Sequence, residues 1–134
     1  MTDFAAARTA YATQGMTTAS PARLLVMLYD RLLLDLRRAD AAQAEQNWDE
    51  ALPQLFHAQT IVLELSSTLR PELWSAGESL LQLYGYVSRM IARATTGHDR
   101  AATAAAIAVV EPLLATWREA ADTLAADEGL TGVA

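Results

Sequence analysis

The chain has 134 residues and no cysteine, is 52% hydrophobic and 19% charged, and carries a formal net charge of −6 with a pI near 4.7. That length suits one domain, and the apolar content supplies a core and excludes a disordered chain. The acidic balance disfavours nucleic acid as a partner, and without cysteine there is neither a disulfide framework nor thiol chemistry.

Alanine is abundant, glycine and proline are few, and no stretch alternates as a strand does. The class is therefore all-α. Residues 1–19 are mostly small and polar, with Phe4, Tyr11 and Met16 spaced through them. They read as a flexible N-terminal arm. The start, MTDFAAARTAYATQG, lacks the apolar run of a signal peptide. Nothing in the chain is apolar for long enough to cross a bilayer. A cytoplasmic protein without membrane insertion is expected.

The stretch Ser20 to Ala39 opens with cap chemistry. A serine hydroxyl can accept from a first-turn N–H, and Pro21 fits the first helical position. Leu25, Leu28, Leu32, Leu36 and Ala39 recur at three and four and form the expected core stripe. Tyr29 and Leu24 flank it, and Val26 and Leu33 widen it. Met27 and Leu34, seven apart, fall nearly opposite the stripe. A surface helix normally has one apolar side, so these two mark a second surface available to a partner.

The first helix is expected from Pro21 to about Glu45. Asn47 and Asp49 are both competent N-caps for the second. Asp49 is favoured because it would place Pro53 in the first turn, where an N–H is unpaired anyway. Leu55, Ala58, Val62, Leu65 and Leu69 make the second stripe, widened by Phe56, Ile61 and Leu63. Arg70-Pro71 ends that helix. Leu80, Tyr84, Val87, Ile91 and Ala94 make the third stripe, with Gly97 expected as a left-handed C-cap. Asp99 caps the fourth helix, whose stripe is Ile107, Val110, Leu114, Trp117, Ala121 and Leu124. Pro112 lies inside it and is expected to kink it near Ala108. The architecture expected is an antiparallel four-helix bundle over residues 20–126, with a frayed tail at 127–134.

The residues offer no catalytic constellation. His57 and His98 lie in no Glu-x-x-His pair, and no histidine or cysteine cluster has zinc spacing. Gly-rich phosphate loops and nucleophile elbows are missing. Asp30 and Asp35 read as members of a solvated face, with Arg31 and Asp35 paired at i,i+4. No cofactor and no metal are expected. Leu83, Tyr86 and Met90 on the third helix lie off its core stripe, and Gly85 stands among them at a cost of about 1 kcal/mol relative to alanine.

Several motifs coincide in order. They are Tyr11, then MTTASP at 16–21, LLVMLYD at 24–30, AQTIVLEL at 58–65, LYGY at 83–86, and Val110-Glu111 with Trp117. Together they resemble the flagellin-specific export chaperone family, FliS, over about Tyr11 to Ala121. The chain departs from the family pattern at Arg23, where an acid or amide is usual, and at Gly85, where an acid is usual. The resemblance implies a four-helix bundle that does no chemistry. It implies binding of the disordered C-terminal segment of flagellin in the cytoplasm, prevention of premature polymerisation, and delivery to a component of the flagellar export gate. It leaves room for a homodimer of the free protein. It assigns Tyr11 and Met16 to an arm that covers the client groove. With the off-stripe residues, the expected client-binding set is Tyr11, Met16, Met27, Leu34, Leu83, Tyr86 and Met90. Two other readings compete: a secreted alanine-rich helical-hairpin protein, whose Trp-x-Gly turn is mis-spaced in Trp74-Ser75-Ala76-Gly77, and a helical-bundle metal oxidoreductase, whose ligands are missing.

Overall fold

The computed structural model describes residues 20–132, with side chains described through Asp127. Tyr11 and Met16 therefore lie outside the described residues. Among these residues there are four α-helices: α1 (Pro21–Ala44), α2 (Trp48–Thr68), α3 (Gly77–Gly97) and α4 (Arg100–Gly132). A short 3-10 turn, Pro71–Leu73, joins α2 to α3. α1 packs on α2 and α4, and α3 packs on the same two. The bundle is thus a square with α1 and α3 on one diagonal.

The caps follow local chemistry. Ser20 Oγ accepts from Arg23 N at 3.2 Å, and Asp99 Oδ1 accepts from Ala102 N at 3.2 Å. The start of α2 differs from expectation, because the cap is Asn47. Its Oδ1 accepts from Glu50 N at 3.3 Å while its Nδ2 donates to Glu50 Oε2 at 2.7 Å. This two-way link to one residue outweighs the placement of Pro53, which now sits inside the helix and leaves the Asp49 carbonyl without its usual N–H partner. The end of α3 also differs. Gly97 stays helical, and His98 takes the left-handed conformation at φ 50°. Its ring stacks on Trp48, with centroids 4.6 Å apart and 24° between planes, which helps hold a conformation uncommon for residues other than glycine. α4 continues through Pro112, and its backbone is helical through Asp127 and as far as Gly132.

The second and third stripes are buried as expected. On α1 the stripe stands as expected but for one exchange. Tyr29 is fully enclosed and belongs with Leu25, Leu32, Leu36 and Ala39, whereas Leu28 is only partly buried. Tyr29 reaches across the diagonal, and its hydroxyl lies 2.8 Å from that of Tyr84 on α3. The hydroxyls are thus in the core and not near a surface. Trp117 meets Tyr29 at 6.3 Å and Trp74 at 6.0 Å, an aromatic chain that closes one part of the core. On α4 the buried arc is Ala102, Thr103, Ala106, Val110, Leu114 and Trp117, while Ile107, Ala121 and Leu124 are half-buried.

Asp35 corrects another expectation. Its pairing with Arg31 is present at 3.0 Å, but the carboxylate is fully buried and does not sit on a solvated face. His57 of α2 contacts its second oxygen through Nδ1. Both partners are half-exposed. They close over the carboxylate from the α1–α2 seam, so burial is compensated by two donors.

Candidate binding faces

Ion pairs and one side-chain bond orient each helix. Arg37–Glu111, Asp30–Arg118 and Asp40–Arg100 tie one edge of α1 to α4. Asp35–His57 ties the other edge of α1 to α2. Gln59 Nε2 donates to the Ser88 carbonyl at 3.1 Å and ties α2 to α3. What these edges leave outside is the surface open to a partner.

On α1 that outer line holds Met27 and Leu34, 57% and 40% exposed. Both stand where the heptad spacing placed them. Met27 also lines a cleft of about 400 Å³ between α1 and α4, with Val26, Arg23 and Ala121 around it and the Asp30–Arg118 pair at its side.

On α2, Phe56 and Leu63 depart from expectation. They do not widen the core stripe but are exposed at 58% and 57%. The reason is rotational. His57 and Ile61 take the α1 side and Gln59 the α3 side, so Phe56 and Leu63 are carried past the seam to the outer surface. The signal available beforehand was their spacing of seven, the same as that of Met27 and Leu34.

On α3, Leu83 is 38% exposed and Tyr86 is half-buried against the core. Met90, expected with them, is enclosed at 9% and belongs to the core cluster. At 100° per residue, Met90 lies about 90° from the middle of the buried arc and Tyr86 about 130°. That difference puts Met90 on the inner edge of the row. Ser88 marks the α2 side of α3, so the Leu83, Tyr86, Met90 edge is turned toward α4. Partly buried Ala105, Val109 and Leu113 stand at four-residue spacing on α4, on the edge away from its ion pairs with α1.

Among the described residues no group of three or more histidines, cysteines, aspartates or glutamates could hold a metal ion. No described helix is long and apolar enough to cross a membrane. Burial pushes the Tyr29 phenol up to about 12, partly opposed by its hydrogen bond with Tyr84. That shift reports a sealed core and lies away from the faces.

Known proteins are similar to this chain in sequence and in fold. The family model described as flagellar protein FliS matches residues 4–124. The flagellar secretion chaperone FliS of Bacillus subtilis (strain 168) is 29% identical over 112 residues, 84% of either chain. A solved crystal structure of a flagellar chaperone from bacteria superposes with a TM-score of 0.70 at 20% identity, over 79% of this chain and 87% of that one; at that identity the likeness speaks for the four-helix fold. With a family model spanning nearly the whole bundle, the chain belongs to the FliS family of flagellar chaperones.

Proposed function

We propose that this protein is a cytoplasmic export chaperone for flagellin. It binds the C-terminal segment of flagellin, disordered when free, prevents its premature polymerisation, and presents it to a component of the flagellar export gate. It works by burying surface and has no catalytic step. The observation that carries this reading is the set of apolar side chains left outside the core on three helices: Met27 and Leu34, Phe56 and Leu63, and Leu83 beside Tyr86. Scattered exposed apolar residues are ordinary. Pairs one heptad apart on two adjacent helices suit an amphipathic helix, whose own anchors repeat at three, four and seven. A client that folds on binding can wrap over several such faces.

Tyr11 and Met16 enter this reading through the sequence resemblance, as arm residues that cover a face until the client displaces them. Without a client, the same apolar rows offer a second copy of the chain a surface for a homodimer. The test is calorimetry with a synthetic peptide of the C-terminal segment of the organism's own flagellin. Wild type is expected to bind one to one. Leu34→Asp combined with Phe56→Asp is expected to weaken binding by about tenfold or more, with an unchanged far-UV spectrum. Absence of binding by the wild-type protein refutes the reading.

A further inference from the structure

The chain has ten basic residues, all arginine, against sixteen acidic ones. In the bundle most described arginines are neutralised. Arg31, Arg37, Arg70, Arg100 and Arg118 each have a carboxylate partner. Arg23, Arg38, Arg89 and Arg93 have none among the described residues, and all four are exposed. Of these, Arg89 and Arg93 stand one turn apart, on α3, whose only acidic residue is Glu78 at its far end. No acidic residue occurs between Ser79 and His98. A chain of net charge −6 therefore keeps two unpaired cations together on one helix face.

Tyr86 shares that face. Tyr86 and Arg93 are seven apart and Arg89 lies between them on the outer side, so these three run along one line of α3, with Leu83 beside it on the edge turned toward α4. Gly85 completes it. A side chain built there would meet only the Arg89 guanidinium, at 3.4 Å, so nothing inside the fold requires glycine. Its effect is local: the Arg89 head group lies back over Gly85, where nothing of opposite charge competes for it.

We propose that this outer face of α3, from Leu83 to Arg93, docks an acidic amphipathic helix within the client segment, with its apolar residues on Leu83 and Tyr86 and two carboxylates one turn apart on Arg89 and Arg93. The proposal rests on the client reading above. Charge complementarity chooses the occupant, because an acidic chaperone attracts an acidic partner where cations are left unpaired together, and Arg89 and Arg93 are the described unpaired arginines that stand one turn apart. Exposed pairs of this kind set orientation and association rate more than final affinity.

The experiment is calorimetry and stopped-flow binding of the flagellin C-terminal peptide to the full chain at about 0.05 M and about 0.5 M salt, which shortens the screening length several-fold. Wild type is expected to bind more tightly at low salt. Arg89→Glu with Arg93→Glu is expected to bind about tenfold more weakly at low salt and to lose most of the salt dependence. Arg89→Lys with Arg93→Lys keeps the charge and is expected to stay within about threefold of wild type. Arg70→Glu with Arg100→Glu changes the net charge equally, away from this face, and is also expected to stay within about threefold. Gly85→Glu places a carboxylate at i,i+4 to Arg89 and is expected to raise the melting temperature while weakening the peptide. Loss of stability cannot produce that opposite pair of effects. If the Arg89 and Arg93 reversal binds as wild type does, or if the Arg70 and Arg100 reversal weakens binding equally, the α3 assignment is overturned and the client reading stands. If wild type binds no peptide, both fall.

Discussion

Replacing Tyr29 with phenylalanine removes one oxygen from the centre of the bundle and changes nothing on the surface. That oxygen lies 2.8 Å from the Tyr84 hydroxyl, across the α1–α3 diagonal, in a residue with no exposed area. Removing one partner of a buried hydrogen bond costs about 1–3 kcal/mol, a large share of a typical total stability of about 5–15 kcal/mol. Alkaline pH adds a second, independent signature. The phenol ionises near 10 in the unfolded chain but is pushed up to about 12 by burial in the folded one. Between those values the unfolded state has released the proton and the folded state has not. Tyr29's contribution is therefore intact below pH 10 and is lost as pH rises through 12. At pH 11 the loss is about 1.4 kcal/mol, one pH unit's worth. Guanidinium melts followed by circular dichroism at pH 8 and pH 11 give the comparison. The advantage of wild type over Tyr29→Phe is expected to shrink by about that amount between the two. A difference that is the same at both pH values means the hydroxyl is not sealed. A Tyr29→Phe variant as stable as wild type at pH 8 refutes the diagonal bond as a stabilising element.

Leu32→Ala is expected to cost about 2–5 kcal/mol and Met27→Ala less than about 1, because only the first leaves a cavity; equal losses in thermal melts would contradict the outward placement of Met27. Met90→Ala is expected to behave like Leu32→Ala, a loss of roughly 2–5 kcal/mol, with little direct effect on peptide binding once the protein is kept folded. Arg31→Ala and His57→Ala are each expected to be tolerated, while the double variant strands the Asp35 carboxylate and costs about 3–5 kcal/mol, more than the two singles summed. The glycines of α3 are expected to divide by sign. Gly77→Ala drives a Cβ to within 2.6 Å of the Pro71 Cα, a backbone atom, and is expected to destabilise by about 1–3 kcal/mol. Gly85→Ala meets only the end of a flexible arginine and is expected to gain up to about 1 kcal/mol in denaturant melts.

Periodicity alone determined that this chain is four helices, and nearly where each begins and ends. Leu55 to Leu69 and Leu80 to Ala94 are buried as their spacing requires, because a helix repeats every 3.6 residues and burial selects one side. Met27 and Leu34 were legible as an outward pair for the same reason. The sequence motifs also carried the family, since several short patterns in register are a property of order and not of shape. What periodicity could not supply is the exact rotation of each helix. A broad apolar arc has two edges, and which edge is sealed depends on the neighbour that covers it. On α1 Tyr29 meets Tyr84 across the diagonal and is sealed, while Leu28, four residues before Leu32, is only partly buried. On α2 the His57 and Gln59 contacts turned Phe56 and Leu63 outward. On α3 the same effect drew Met90 inward and left Tyr86 at the rim. Asp35 would be solvated on an isolated helix, and it lies buried where α2 adds a histidine to the arginine of its own helix. Each of these depends on a pair of residues from two helices. The arrangement of the four helices makes such pairs, and no single helix contains one.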